Sequence, residues 1–214
     1  ENRKANEIKQ DISVLVVCGN PPYESSSMNK SAFISKLMID YKKDVSSEKN
    51  IQPLDNDYIK FIRFAHWKIK QNGYGMVGMI TSNSYLDGII HRGMRKMLME
   101  DFDQIYILNL HGSVRRNEKP PNGKSDQNVF DIMQGVSIIF LIKTQSPSKS
   151  QIFYQDLWGT REEKYEFLTK NFTSTTEWLF LKPKSPNYFF AFLNERDEYS
   201  NFVSLNDIFI ESST

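Results

Sequence analysis

The amino-acid sequence predicts an α/β fold built around a largely parallel sheet. Short apolar runs rich in β-branched residues alternate with longer stretches whose apolar residues recur at helical spacing. The 214 residues are 39% hydrophobic and 13% aromatic, which is enough for a core of ordinary domain size. The runs interpreted as the first four strands are residues 12–17, 76–80, 105–110 and 136–142.

Helical patterns connect the first three of these strands. A short helix is predicted around residues 31–43. From residue 58 to 71 the apolar positions fall on one helical face, and Gly73 is a natural helix stop. Residues 81–84 cap a third helix over about 85–99. The side chains expected to face inward from that helix are Leu86, Ile89, Ile90, Met94, Met97 and Leu98.

The connections predict the strand directions. Two strand–helix–strand units imply right-handed crossovers and parallel strands. The polar stretch 113–128 has no helical pattern, and a parallel crossover usually needs a helix, so the fourth strand should run antiparallel to the third. Further along, residues 151–158 are predicted as a strand and 159–170 as a helix. The tail 1–10 is polar, and 171–214 is expected to be irregular.

Composition excludes several classes of protein. With 27 Lys and Arg against 26 Asp and Glu, the net charge of +1 fits neither a polybasic tail protein nor an acidic disordered one. The sequence has no apolar run of membrane-spanning length and no signal peptide at its start, so we expect a cytoplasmic protein without membrane contact. Because the first residue is Glu, we expect a piece of a longer chain.

The cysteine and histidine content gives no indication of a metal site. A single cysteine, Cys18, excludes a disulfide framework and a cysteine-based zinc site, and we expect it in the core. His66, His91 and His111 are dispersed without metal-ligand spacing. We therefore predict no bound metal.

The string Asn20-Pro21-Pro22-Tyr23 directly after the first strand is the most informative motif. Ligands of open α/β sheets bind beyond the carboxyl ends of the strands. There, a rigid Pro-Pro turn fixes the direction of backbone carbonyls, Asn20 adds a side-chain acceptor, and Tyr23 offers a flat face. This pattern is typical of a receptor for an amino group on an aromatic base. The alternative is a plain turn, since Asn-Pro is a common turn initiator.

The motif resembles the catalytic motif of amino-group DNA methyltransferases, the adenine-N6 class in particular. The segments MVGMITSNSYLDGIIHRGMRKML, IYILNLHG and NVFDIMQGVSIIFLIK resemble the methyltransferase core of single-chain restriction–modification enzymes, type ISP first and type IIG next. YQDLWGTREEK is similar to the segment after that core, and SLNDIF to the approach to a target-recognition domain.

The resemblance implies the second half of a Rossmann-like methyltransferase sheet. Residues 1–145 would be the C-terminal half of the catalytic domain, and 146–214 a linker and extension toward a recognition domain. The implied reaction transfers methyl from S-adenosylmethionine to a flipped adenine in double-stranded DNA. The parent chain would also carry an N-terminal methyltransferase half, and nuclease or helicase domains are further possible fusions.

The resemblance also implies that part of the cofactor site is missing. In the family, a glycine-rich loop and an acidic residue that bind S-adenosylmethionine precede the Asn-Pro-Pro-Tyr motif, and only about 19 residues precede Asn20. We therefore expect this chain alone to be inactive. Gly73, Gly75 and Gly78 match G-x-G-x-x-G, but they follow a helix and enter a strand, which is the wrong context for a dinucleotide loop.

Further residues are candidates for nucleic-acid contact. Phe130 precedes the fourth strand, where the family places an aromatic ring against the flipped base; the alternative is a core phenylalanine. Four cations in the long loop could contact phosphate or could lie on a merely solvated loop. They are Arg115, Arg116, Lys119 and Lys124.

Two other functions remain open at the level of sequence. The chain could be a DNA-specificity or scaffolding module without catalytic activity. It could also be a magnesium-dependent nuclease that uses Asp156, Glu162 and Lys164, although that spacing is short and the segment has a helical pattern.

Overall fold

The computed structural model describes residues 13–23, 27–146 and 148–192. Six strands form one mixed sheet in the order β1-β2-β4-β3-β5-β6, which confirms the predicted α/β class. The strands are β1 (Val16–Gly19), β2 (Gly75–Ser82), β3 (Gln104–His111), β4 (Val136–Lys143), β5 (Gln151–Asp156) and β6 (Leu179–Leu181). The α-helices are α1 (Ala32–Lys42), α2 (Asp57–Asn72), α3 (Arg92–Asp101) and α4 (Arg161–Lys170). None of the described helices combines the length and apolarity that a membrane crossing requires.

The strand directions follow the predicted connections. β1 and β2 are parallel, and β4 inserts between β2 and β3 and is antiparallel to both. The antiparallel direction of the fourth strand is therefore confirmed. β5 extends the sheet parallel to β3, and β6, which the sequence analysis missed, pairs antiparallel with β5. The predicted domain boundary at residues 145 and 146 lies in the connection from β4 to β5.

Two hydrophobic clusters lie on opposite faces of the sheet. The larger cluster packs α1, α2 and α3 against one face, with Ile107 and Ile139 among its fully buried strand residues. The smaller cluster contains Leu108 and Val136, whose side chains point to the other face because neighbouring strand residues alternate. Phe167 and Leu168 of α4 cover part of this second face.

The segment before α3 differs from the predicted helix over 85–99. Residues Asn83–Tyr85 and Ile89–His91 form two short 3₁₀ turns, and α3 begins at Arg92. Tertiary contacts explain the difference: the Arg95 guanidinium donates to the carbonyls of Tyr85 and Gly88, at 2.5 and 2.8 Å. These contacts stabilise the turns between Tyr85 and His91, and the Gly88 carbonyl also accepts the His91 N–H of the second turn. Ile89, expected to face inward, is 58% exposed.

The first strand is less buried than its apolar sequence predicts. Val16 is 55% exposed and Cys18 is exposed, so the prediction that Cys18 lies in the core is wrong. β1 is an edge strand that pairs with β2 alone among the described residues. Within the described residues, the backbone groups of β1 that face away from β2 have no strand partner.

Candidate functional site

The Asn20–Tyr23 turn lies at the carboxyl end of β1, beside the end of β2. Pro21 is buried and Tyr23 is half-buried, whereas Asn20 and Pro22 are exposed. Among the described residues, the Asn20 side chain has no hydrogen-bond partner, so its amide is free to meet a ligand. The burial of Pro21 therefore anchors the turn, and the Asn20 side chain is left open.

Two aromatic rings that are distant in sequence meet beside this turn. The Tyr23 and Phe130 ring centroids are 6.2 Å apart and the rings are tilted by 57°. Both rings pack against the smaller hydrophobic cluster. The Tyr23 hydroxyl is buried and has no partner within the described structure, and this desolvation raises the pKa of Tyr23 to about 12. Tyr23 therefore stays neutral, and the two rings form one apolar surface at the carboxyl edge of the sheet.

The backbone around Phe130 is held by a buried asparagine. The Asn128 Oδ1 accepts a 2.9 Å hydrogen bond from the Phe130 backbone N–H, and its Nδ2 donates to the Gly112 and Gln134 carbonyls. Gly112 has a φ of 78°, and a Cβ there would lie 2.5 Å from the Asn128 Cα. Only glycine fits this close approach. The contact between Gly112 and Asn128 therefore brings the two ends of the long loop together.

A buried ion pair lies behind the same loop. Lys164 of α4 is 0% exposed and lies 2.6 Å from the Asp126 carboxylate. Asp126 also accepts hydrogen bonds from the backbone N–H groups of Gly112 and Gly159. Burial lowers the pKa of Lys164, and the contact with Asp126 opposes that effect. The sequence analysis missed this pair because nothing in the spacing of residues 126 and 164 indicates contact.

The proposed nuclease residues do not form one site. Asp156 accepts a 2.7 Å hydrogen bond from His111 Nε2, whereas Lys164 belongs to the buried pair with Asp126. Glu162 is exposed at the start of α4. Within the described ranges, no group of three or more His, Cys, Asp or Glu residues could hold a metal ion. The geometry gives the nuclease interpretation no support.

The loop cations differ in their surroundings. Arg116 makes a bidentate pair with Asp87, at 2.6 and 2.9 Å, and this contact raises the pKa of Arg116. Arg115, Lys119 and Lys124 are exposed. All four predicted phosphate-binding cations are therefore exposed, and Arg116 differs from the other three in its pairing with Asp87.

A polar cavity of about 300 Å³ at the ends of β3 and β5 contains His111. Its ring stacks on Trp158, with 3.3 Å between centroids, and lies between the carboxylates of Asp156 and Glu118. Burial lowers the pKa of His111, but the hydrogen bonds to both carboxylates outweigh it, so the pKa lies above 6.5. The sequence analysis predicted no site at His111, because the three histidines are dispersed along the chain.

The glycine-rich string does not fit a cofactor cradle. Gly73 ends α2 with a φ of 86°, and a Cβ on Gly75 would lie 2.5 Å from the Leu15 carbonyl oxygen. Gly73 therefore ends a helix, and Gly75 allows the backbone at Leu15 to approach closely. A strand follows them, and no helix begins there. The described residues do not form the glycine-rich strand-to-helix loop that S-adenosylmethionine would require.

Comparison with known proteins now decides the family. The model of the Eco57I restriction-modification methylase family matches residues 2–115, which is more than half of the 214 residues. The chain belongs to this family. The match covers the Asn20–Tyr23 turn, α1 to α3 and the first three strands, and it ends within the long loop. A comparison with curated protein sequences gives no significant match.

Three solved structures share the fold, and two of them are of Type ISP restriction–modification enzymes. The ATP-dependent Type ISP enzyme LlaBIII bound to DNA is 28% identical over 92% of this chain, with a TM-score of 0.74. A nuclease-deletion mutant of the Type ISP enzyme LlaGI, with a DNA substrate mimic, is 24% identical over 88% (TM-score 0.75). The DrdV–DNA complex is 23% identical over 94% (TM-score 0.76). The chain spans only 14%, 19% and 20% of these proteins, respectively.

Proposed function

We propose that this chain is the base-receiving half of a DNA adenine-N6 methyltransferase within a longer restriction–modification enzyme of the type ISP kind. The observation that carries the proposal is the anchored Asn20–Tyr23 turn with an open Asn20 amide and the Tyr23 ring beside Phe130. Membership of the methylase family and the 28% identity to LlaBIII support it.

The turn suits recognition of an exocyclic amino group. The Asn20 Oδ1 and the Pro21 carbonyl would each accept one N–H of adenine N6. The N6 lone pair is delocalised into the ring, so these acceptors would favour a pyramidal nitrogen and aim its lone pair at the methyl donor. S-adenosylmethionine would supply that methyl group, bound largely by segments outside this chain.

The aromatic pair suits an adenine that has left the duplex. Extrusion of a base costs stacking and pairing energy, and contact with Tyr23 and Phe130 would offset part of that cost. A base between two rings needs about 3.5 Å of van der Waals separation on each side. The 6.2 Å between the tilted rings is therefore too small for a sandwiched base, and we expect the rings to separate or the base to stack on one of them.

The long loop suits contact with the DNA backbone. The exposed cations Arg115, Lys119 and Lys124 would approach phosphates, which supply most of the affinity of a protein for duplex DNA. Arg116 would contribute only if a phosphate replaced its partner Asp87. We therefore expect Arg116 to contribute less to DNA binding than its neighbours.

The test is Asn20→Ala in the full-length protein that carries this chain. Transfer of tritiated methyl from S-adenosylmethionine to unmethylated genomic DNA should fall by about 10²–10³, the usual cost of one preorganised polar group at a reacting atom. DNA binding should stay within about threefold, because phosphate contacts remain. Digestion of the product of the parent protein should yield N6-methyladenine.

The matched control is Asn50→Ala, which removes an exposed asparagine whose amide oxygen accepts a bond from the nearby Gln52 N–H. It should transfer methyl groups at the parental rate. Methyl transfer by Asn20→Ala at the rate of this control would contradict the proposed role. A parent protein that binds DNA but transfers no methyl group would instead support a scaffolding module.

A further inference from the structure

Side chains of helix α4 hold the backbone just before Phe130 by hydrogen bonds. Three successive carbonyls, of residues 127–129, each accept a hydrogen bond from a side chain of this helix. The donors are Lys164 to Gln127 at 2.5 Å, Arg161 to Asn128 at 2.9 Å and Tyr165 to Val129 at 2.6 Å. We call Arg161, Lys164 and Tyr165 the carbonyl clamp.

The spacing of the clamp explains how one helix reaches three consecutive carbonyls. Positions 161, 164 and 165 are related by three and four residues, so their side chains lie on one face of α4. The helix start is itself fixed, because Thr160 and Glu163 form a reciprocal capping box. Gly159, just before the cap, donates its N–H to Asp126 and thereby ties the start of α4 to the same loop.

The clamp restricts the residue that follows it. With residues 127–129 held at their carbonyls and the Phe130 N–H bonded to Asn128, few backbone conformations remain for Phe130. A surface loop of this length would otherwise sample many orientations. The direction of the Phe130 ring toward Tyr23 is therefore set largely by α4.

We propose that α4 is a positioning element of the base site, and that the carbonyl clamp holds Phe130 in the orientation that receives the flipped base. This inference rests on the proposed function. Family membership does not imply it, because the family model ends at residue 115 and α4 begins at Arg161. Because α4 lies within the predicted extension 146–214, that extension would contribute to the base site.

The test uses Arg161→Met/Tyr165→Phe in the full-length protein. Both side chains are partly exposed, so this variant should fold, whereas replacement of the buried Lys164 could unfold the protein. We expect kcat for methyl transfer to genomic DNA to fall about tenfold, because a Phe130 backbone that has lost two of its three carbonyl contacts positions the ring less well for the base. The KM for DNA should stay within about twofold, because the exposed loop cations are unchanged.

The same changes in a Phe130→Ala protein separate a positioning role of the clamp from a general loss of structure. If the clamp acts through Phe130, adding its two changes to Phe130→Ala should cause no further loss of kcat. A purely structural role would give an additive loss. The same changes should also lower the fluorescence response of 2-aminopurine at the target position, once the methylated site has been read from modified genomic DNA.

The control is Tyr106→Phe/Lys170→Met, which likewise removes one tyrosine hydroxyl and one cation. Tyr106 donates to Gln104, and Lys170 pairs with Glu166, so neither touches the loop. Parental kcat in the clamp variant, or an equal loss in this control, would overturn the inference. Loss of activity in Asn20→Ala together with parental kcat in the clamp variant would refute the clamp alone, whereas an active Asn20→Ala would refute the proposed function itself.

Discussion

Replacing Lys164 by methionine leaves the carboxylate of Asp126 without its counter-ion in a buried site. The Lys164 side chain is 0% and that of Asp126 3% exposed. Breaking a buried pair by removing one partner costs about 3–5 kcal/mol, because an uncompensated charge stays inside. Asp126 keeps two backbone N–H donors, at Gly112 and Gly159, which lowers the cost. The Leu110 and Gln127 carbonyls lose the Lys164 donor, which raises the cost, so we expect a loss of at least about 3 kcal/mol.

Urea denaturation of the 214-residue chain, followed by tryptophan fluorescence, measures this loss. For a chain of this size, about 3 kcal/mol corresponds to a melting temperature about 6–12 °C lower. Adding Asp126→Asn to Lys164→Met removes the unpaired charge and should restore part of the stability. A Lys164→Met chain within about 1 kcal/mol of the parent, or a double variant no more stable than the single one, would refute the reasoning.

Two further expectations concern pH and the cofactor. Burial, with a smaller effect of Arg95, lowers the pKa of His91 to about 4. Below about pH 6.5 the unfolded chain takes up a proton that folded His91 does not, so stability falls by about 1.4 kcal/mol per pH unit toward pH 4. His91→Leu should remove this component, which parallel urea titrations of parent and variant measure; identical slopes would contradict it. Calorimetry of this chain with S-adenosylmethionine should show weak or no binding, and micromolar affinity would mean that Gly73, Gly75 and Gly78 serve the cofactor after all.

Local patterns in the sequence were sufficient for most of the framework. Hydrophobic periodicity and Gly73 defined α2, and the apolar runs marked β2, β3 and β4 to within two residues of their ends. The missing helix before Val136 predicted an antiparallel β4, since a parallel crossover usually needs a helix. These predictions succeed because helix faces, strand runs and chain stops depend on residues that are close in sequence.

Local sequence patterns predicted only part of the candidate site. The Asn20–Tyr23 turn and Phe130 were recognised from short strings, and they lie together in the fold. The contacts around these residues were not predicted, because they join residues that no sequence motif connects. They are the carbonyl clamp, the Asp126–Lys164 pair and the Arg116–Asp87 pair. The turns before α3 were missed for the same reason, because the Tyr85 carbonyl is bound by Arg95, ten residues further along the chain.

The sequence by itself determined the element types of α1, α2 and α4 and of β2 to β5, together with the antiparallel direction of β4. Tertiary structure alone decided which charges are buried and that α4 holds the backbone before Phe130. The physical reason is that burial and hydrogen-bond pairing depend on which distant segments meet. A lysine such as Lys164 has the same local sequence whether it lies in solvent or satisfies a buried carboxylate and two carbonyls.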